Sequence, residues 1–269
     1  MELVSRIQAV AARALASGAI EPIRTETEVV EDGGVQFAVR VVSSLRRKEV
    51  AARRVVDDPL GDYDPELFVA DVSPTHYALL NKFPVMPGHL LIVVRDYEPQ
   101  DAYLTLSDFE ALAQCMGKSE SLGFYNAGRE AGASQHRKHL QVVPLPLAPE
   151  VPQPVPIEPL LDAVPGLPFR HAFGRIAQSG PAALHGLYRR LLESAGVSGT
   201  ASYNLLLTQR WMLIVPRSRE RFDSISVNAL GFAGSLLVRD RGQLERVRAA
   251  GPMNVLRAVT VRLGGRTRR

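Results

Sequence analysis

The residue types best suited to chemistry in this sequence lie between Asn126 and Gln141. Gly128, Gly132 and the small Ala133 permit a tight backbone whose amides can converge on one point. Ser134 and Gln135 add short donors, and Arg129, Arg137 and Lys138 add positive charge. An amide-lined loop with such neighbours suits phosphate oxygens. It is not a Walker loop, because the Gly-Lys-Ser/Thr ending is absent. The glycine pattern alone would equally describe a connecting loop. The residues that follow separate the two readings. Side chains alternate along a strand, so His139 and Gln141 share one face while Leu140 and Val142 take the other. An imidazole beside a phosphate loop can attack phosphorus directly when its other nitrogen is held, and it leaves readily from a phosphoramidate. The competing reading is a core histidine bonded to a backbone carbonyl, and the adjacent loop favours the nucleophile.

Elements must position this segment. Apolar spacing predicts a helix over 3–17, closed by Gly18, and alternation predicts a strand over 35–42. Residues 44–54 carry Arg46, Arg47, Lys48, Arg53 and Arg54, a run that usually forms a solvated face. Two apolar stretches between 77 and 94 flank a turn punctuated by Pro84, Pro87 and Gly88. Ser107 and Glu110 form a capping-box pattern that opens a helix to about Lys118. Strands over 122–126 and 139–143 bracket the polar loop. Nine of the 19 prolines fall between Pro144 and Pro168, which predicts an extended connector. A helix over 182–195 and strands over 203–207 and 211–215 follow, with Trp211 and Met212 read as core. The basic tail, 266–269, should fray. Strands outnumber the helices that parallel crossovers need, so the expected class is α+β with a mostly antiparallel sheet flanked by helices. The expected division is a catalytic region at 1–145, a Pro-rich connector at 146–172, and a C-terminal region at 173–269.

Composition narrows the function classes. With 46% hydrophobic and 22% charged residues, the 269-residue chain is an ordinary globular sequence. The single cysteine, Cys115, excludes an internal disulfide framework and any cysteine-built zinc or iron–sulfur site. No apolar run approaches the roughly 20 residues a bilayer requires. The first residues lack a signal core, and the expected location is cytoplasmic. The net charge of +4 is too small to argue for nucleic-acid binding but suits a phosphate-rich ligand. No nucleic-acid or membrane partner is expected, and oligomeric state is not legible.

The segment GREAGASQHRKHLQ (128–141) resembles the active-site segment of diadenosine tetraphosphate phosphorylases, or ATP adenylyltransferases, of the histidine-triad superfamily. HYALLNKFPVMPGHLLIVVRDYEPQ (76–100) is similar to that family's first core hairpin. SYNLLLTQRWMLIVPRSRE (202–220), SVNALGFAGSLLV (226–238) and GPMNVLRAV (251–259) are similar to its C-terminal region. The matches come in the family's order and run from about Val35 almost to the end.

The resemblance implies a histidine-triad-like fold and a reaction. His139 matches the nucleophile that holds AMP as an adenylyl-histidine. Gln141 matches the residue that replaces the last histidine of the hydrolytic branch; an amide can bond a phosphate oxygen but cannot shuttle a proton to water. The implied activity is phosphorolysis of diadenosine tetraphosphate by inorganic phosphate to ADP and ATP, reversibly. Asn126, Gly132, Ala133, Ser134 and Gln135 match a phosphate- and ribose-contacting segment. Asn81 and Lys82 match a nucleotide-contacting pair, and Asn228, Ala229, Leu230, Ser235 and Arg239 match a further binding segment. Lys48 aligns loosely with an upstream nucleotide-binding lysine. Arg137 departs from the pattern, since the family usually carries a histidine there; a permanent cation can hold phosphate but cannot relay a proton. No tightly bound cofactor is implied, and Mg2+ or another divalent cation would arrive with the polyphosphate.

Plainer roles compete with these. Asn81 can cap a turn, Lys82 can be a solvated charge, and Asn228 can be a helix N-cap. His76, His89, His171 and His185 have no partner spacing and are read as structural or exposed. The competing functions are a uridylyl-type sugar-phosphate nucleotidyltransferase, which the missing cysteine-based metal site disfavours, and a non-catalytic nucleotide- or RNA-binding module.

Overall fold

The computed structural model describes residues 3–42, 58–163 and 166–263. Its middle layer is an eight-stranded sheet. In spatial order the strands are β3 (Phe68–Asp71), β4 (His76–Leu80), β5 (Leu90–Val94), β7 (His139–Pro144), β6 (Ser121–Ala127), β9 (Tyr203–Leu207), β10 (Trp211–Pro216) and β8 (Ala172–Arg175). Every neighbouring pair is antiparallel. Alternation gives this sheet two buried faces. On β6, Phe124 packs into one apolar cluster and Tyr125 into the other.

The Tyr125 face is covered by α1 (Leu3–Ser17), α2 (Leu106–Met116) and α3 (Pro181–Ala195), which contribute Ala14, Phe109, Leu112, Tyr188 and Leu191. The Phe124 face meets a second sheet. There β1 (Thr25–Asp32) pairs antiparallel with β2 (Val35–Val42), and β13 (Ser235–Val238) runs parallel to β2. A small hairpin, β11 (Arg221–Phe222) and β12 (Ile225–Ser226), leads to α4 (Ala229–Phe232). After β13, α5 (Arg241–Ala250) and α6 (Pro252–Val259) close that side, and Phe37, Trp211, Phe232 and Leu256 are all fully buried there. The molecule is α+β with a dominant antiparallel sheet, the class expected.

Helix α1, strand β2 and the β9–β10 hairpin match the expected elements. Strands β3, β8 and β13 were not expected, and three further details differ. Strand β1 was not expected: its run Thr-Glu-Thr-Glu reads as solvated, yet it pairs over its whole length with β2 through a Gly33-Gly34 turn with φ of 58° and 79°. Helix α2 starts one residue before Ser107, at Leu106, with Thr105 as N-cap and Asp108 as its reciprocal partner. Ser107–Glu110 loses because the Asp108 carboxylate has further partners inside, His76 at 3.0 Å and Lys138 at 2.7 Å. The proline-rich stretch, expected to be an extended connector, instead folds as successive turns with a 3-10 turn at Glu158–Leu160, and Leu147, Val155, Ile157, Leu161 and Leu167 are buried against the second sheet. Residues 44–54, Lys48 among them, and 266–269 lie outside the described residues. No helix among the described residues is long and apolar enough to cross a membrane.

Candidate active site

His139 begins β7, opposite Val93 of β5, with its side chain on the same face as Gln141. Its Nδ1 lies 2.9 Å from the carbonyl oxygen of Arg137. A carbonyl only accepts, so Nδ1 carries the proton and Nε2 keeps its lone pair. Burial lowers the proton affinity of the ring, only partly opposed by the Arg137 carbonyl. The arrangement is a neutral imidazole with its second nitrogen held, the form nucleophilic attack requires.

Gln141 pairs in register with Leu91 on one side and Phe124 on the other. Its Oε1 lies 2.9 Å from Nε2 of His89, whose Nδ1 lies 3.1 Å from Nδ2 of Asn81. Asn81 Oδ1 in turn accepts the Phe83 N–H at 3.0 Å. The directions follow from that last bond. A backbone N–H can only donate, so the Asn81 oxygen is committed and its amino group must point at His89. His89 therefore accepts at Nδ1 and donates from Nε2, which commits the Gln141 oxygen. The Gln141 amino group is left as the donor available to a phosphate oxygen. Burial holds His89 neutral, its pKa pushed down to about 4. His89 is thus the residue the sequence reading missed. A period-2 count would have found it, since His89, Leu91 and Val93 share the face of β5 that meets Gln141 and His139.

The polar loop folds as one 3-10 turn, Arg129–Ala131, between Gly128 and Gly132, with φ of 84° and 85°. Gly132 is required on two counts. Its φ is left-handed, and a Cβ there would lie 2.7 Å from the Val227 carbonyl and 2.9 Å from Asn228 Cβ. The loop therefore lies directly against the 226–230 segment. Asn126 ties the two together, its Oδ1 accepting from Asn204 Nδ2 at 2.8 Å and from the Ala229 N–H at 2.9 Å. Asn204 also donates to the Ala131 carbonyl. Beneath them Arg217 spends all five N–H groups on the Val259, Ala131, Arg219 and Glu220 carbonyls and on Asn204 Oδ1. Burial lowers its pKa to about 9, and its full set of acceptors marks a structural role.

Gly132, Asn228, Ser235 and Arg239 line one cavity of about 160 Å³, with Val42 and Gln243 on its wall. Asn228 also caps α4 by accepting the Leu230 N–H, so its plainer role is present as well. The Ala133 N–H closes onto the Gly128 carbonyl, Ser134 is exposed and Gln135 half-buried. Lys82 holds its ammonium 5.9 Å from the Phe83 ring centroid. The Arg137 side chain is turned to Asp58, with a 2.5 Å ion pair, and to the Val94 and Arg95 carbonyls. What Arg137 offers His139 is its backbone carbonyl. His76 is structural, as expected, bonded to Asp108. Among the described residues, no group of three or more His, Cys, Asp or Glu side chains could hold a metal ion.

Residues 1–163 match the family model of the Ap4A phosphorylase N-terminal domain, and residues 165–262 match that of the ATP adenylyltransferase C-terminal domain. The chain is 28% identical over 261 residues to diadenosine 5',5'''-P1,P4-tetraphosphate phosphorylase 2 of Saccharomyces cerevisiae, covering 79% of each. It is 30% identical over 268 residues to Protein APA1 of the same yeast, covering 83% of each. The crystal structure of yeast Ap4A phosphorylase Apa2 in complex with Ap4A superposes with a TM-score of 0.81 at 26% identity, over 97% of this chain and 98% of that one. The chain belongs to the Ap4A phosphorylase family, with an ATP adenylyltransferase C-terminal domain.

Proposed function

We propose that this enzyme phosphorolyses diadenosine 5',5'''-P1,P4-tetraphosphate with inorganic phosphate to ADP and ATP, through a covalent intermediate on His139. The observation that carries the reading is the neutral His139, its Nδ1 proton held by the Arg137 carbonyl, on one sheet face with a Gln141 amide that has no proton to shuttle. In the first half-reaction Nε2 attacks the α-phosphorus. The bond to the bridging oxygen breaks, and ATP leaves with that electron pair. In the second, an oxygen of inorganic phosphate attacks the same phosphorus. The P–N bond breaks, its electrons return to Nε2, and ADP is released. The reverse reaction joins ATP to ADP.

The Gln141 amino group and the backbone amides of Ser134 and Gln135 would hold the α-phosphate oxygens, with Asn126 keeping that loop in place. Asn81 acts through His89. Asn228, Ser235 and Arg239, which share one cavity, would form the nucleotide wall, and Lys82, beside Asn81 in the chain, would meet the polyphosphate. Mg2+ would travel with the polyphosphate, screening the departing ATP.

The test is to incubate the protein with the dinucleotide, with and without phosphate, and to resolve the products by chromatography. ADP and ATP should form only with phosphate. His139→Ala should lower that rate by about 10³-fold or more. AMP and ATP formed without phosphate would identify a hydrolase and sink the reading.

A further inference from the structure

Strands β6 and β7 part company just before the nucleophile. Their ladder runs from Ser121↔Pro144 to Phe124↔Gln141. Continued in the same register, it would set Asn126 opposite His139. The side-chain amide of Gln100 stands there instead. Its Oε1 accepts the His139 N–H at 2.8 Å, while its Nε2 donates to the Asn126 carbonyl at 2.9 Å and to the His139 carbonyl at 3.2 Å. A primary amide offers one acceptor and one donor side, as a peptide group does. It can satisfy both strands while holding them farther apart than a direct ladder bond allows.

Gln100 is itself immobilised. It lies in the segment between β5 and α2, is 4% exposed, and its backbone N–H donates to the His136 carbonyl at 2.8 Å. Its carbonyl accepts the Tyr125 hydroxyl. The same segment grips the next residues, with the Lys138 N–H on the Glu98 carbonyl at 2.7 Å. The two groups that Gln100 separates are the ones the reaction needs in fixed relation: His139, and the Asn126 whose side chain anchors the Ala229 amide and the loop. We infer that Gln100 is a positioning residue, its amide wedged between β6 and β7 to set the distance and orientation of His139 relative to the Asn126 side of the phosphate site. The inference rests on His139 being the nucleophile.

The experiment compares the wild-type chain with Gln100→Leu and Gln100→Glu, measuring kcat and KM for the dinucleotide, adenylyl-histidine formation in a single turnover, and Tm. A misplaced nucleophile should lower kcat and single-turnover adenylylation of Gln100→Leu by about 10²-fold, with KM changed by less than about threefold. Gln100→Glu keeps the acceptor for the His139 N–H but sets a carboxylate against two carbonyls, so its deficit should shrink as pH falls and the introduced carboxyl protonates into a donor. The titratable groups nearby are His136, His139, Asp101, Tyr125 and the Lys138–Glu98–Asp108 cluster. All are present in the wild type, so the variant-to-wild-type ratio isolates the introduced group. Gln100→Leu with kcat close to wild type would overturn the inference. So would a kcat loss in both variants that tracks Tm, raises KM in step and ignores pH, because that is plain structural damage. Wild-type protein that forms no adenylyl-histidine would instead overturn the reading of His139, and the Gln100 inference with it.

Discussion

Gln141 and His89 share one hydrogen bond, and its direction decides what the site presents to a phosphate. Because the Phe83 N–H commits Asn81, and Asn81 commits His89, the Gln141 amino group faces the reacting centre. Replacing His89 with Leu would leave the Gln141 amide free to turn, and phosphorolysis should slow by about tenfold, read as kcat against a smaller change in KM. Kcat unchanged in His89→Leu would show that the relay does not orient Gln141. The same histidine makes stability pH-dependent. The unfolded chain protonates it near pH 6.5, whereas the folded chain resists until about pH 4. Its contribution is complete above pH 6.5 and is lost as pH falls through that window, by on the order of 3 kcal/mol. Urea unfolding at pH 7 and pH 5 should show the loss in wild type and a smaller one in His89→Leu. For His139 the lowered pKa keeps the ring neutral below the ordinary histidine value of 6.5. The rate of adenylyl-histidine formation should therefore hold level from pH 8 to 6.5 and fall only on the acid side.

At the scale of elements, the turn 129–131 is shaped less by its own residues than by what it lies against. Gly132→Ala would add strain at a φ of 85° and press a methyl group on the Val227 carbonyl. The expected cost is more than about 1 kcal/mol in unfolding free energy, together with a raised KM for the dinucleotide as the 226–230 segment moves away. A variant with unchanged Tm and KM would show that the loop yields without consequence. Periodicity exposed most elements, because buried faces repeat at 2 or 3.6 residues. It failed at β1, where Glu26 and Glu28 reach Arg241, Arg248 or solvent rather than a core. It also misplaced the start of α2, where Thr105 with Asp108 and Ser107 with Glu110 are equally good capping boxes on paper. The buried pairing of Asp108 with Lys138 decides between them, and it joins residues 30 apart in the chain.

At the scale of the whole molecule, the two family domains share one core. Strand β13 extends the β1–β2 ribbon, β9 continues the sheet from β6, and Phe37, Phe124, Trp211 and Leu256 occupy one cluster. Calorimetry should therefore show a single cooperative transition for the full chain. Residues 1–163 alone would leave the outer edge of β6 unpaired and much of that cluster in water, so this fragment should unfold without a cooperative step. Two separate transitions in the full chain would contradict the shared core.

The sequence by itself determined the mainly antiparallel α+β class, the strand pair that carries His139 and Gln141, and the glycines that let the loop turn. These are local matters of period, backbone freedom and residue chemistry. Only the tertiary structure decided that His89 meets Gln141, that the Arg137 side chain turns to Asp58 while its carbonyl holds His139, and that Gln100 enters between two strands. Each depends on a hydrogen bond that closes once distant segments have packed, and the direction of such a bond is set by which neighbour is already committed.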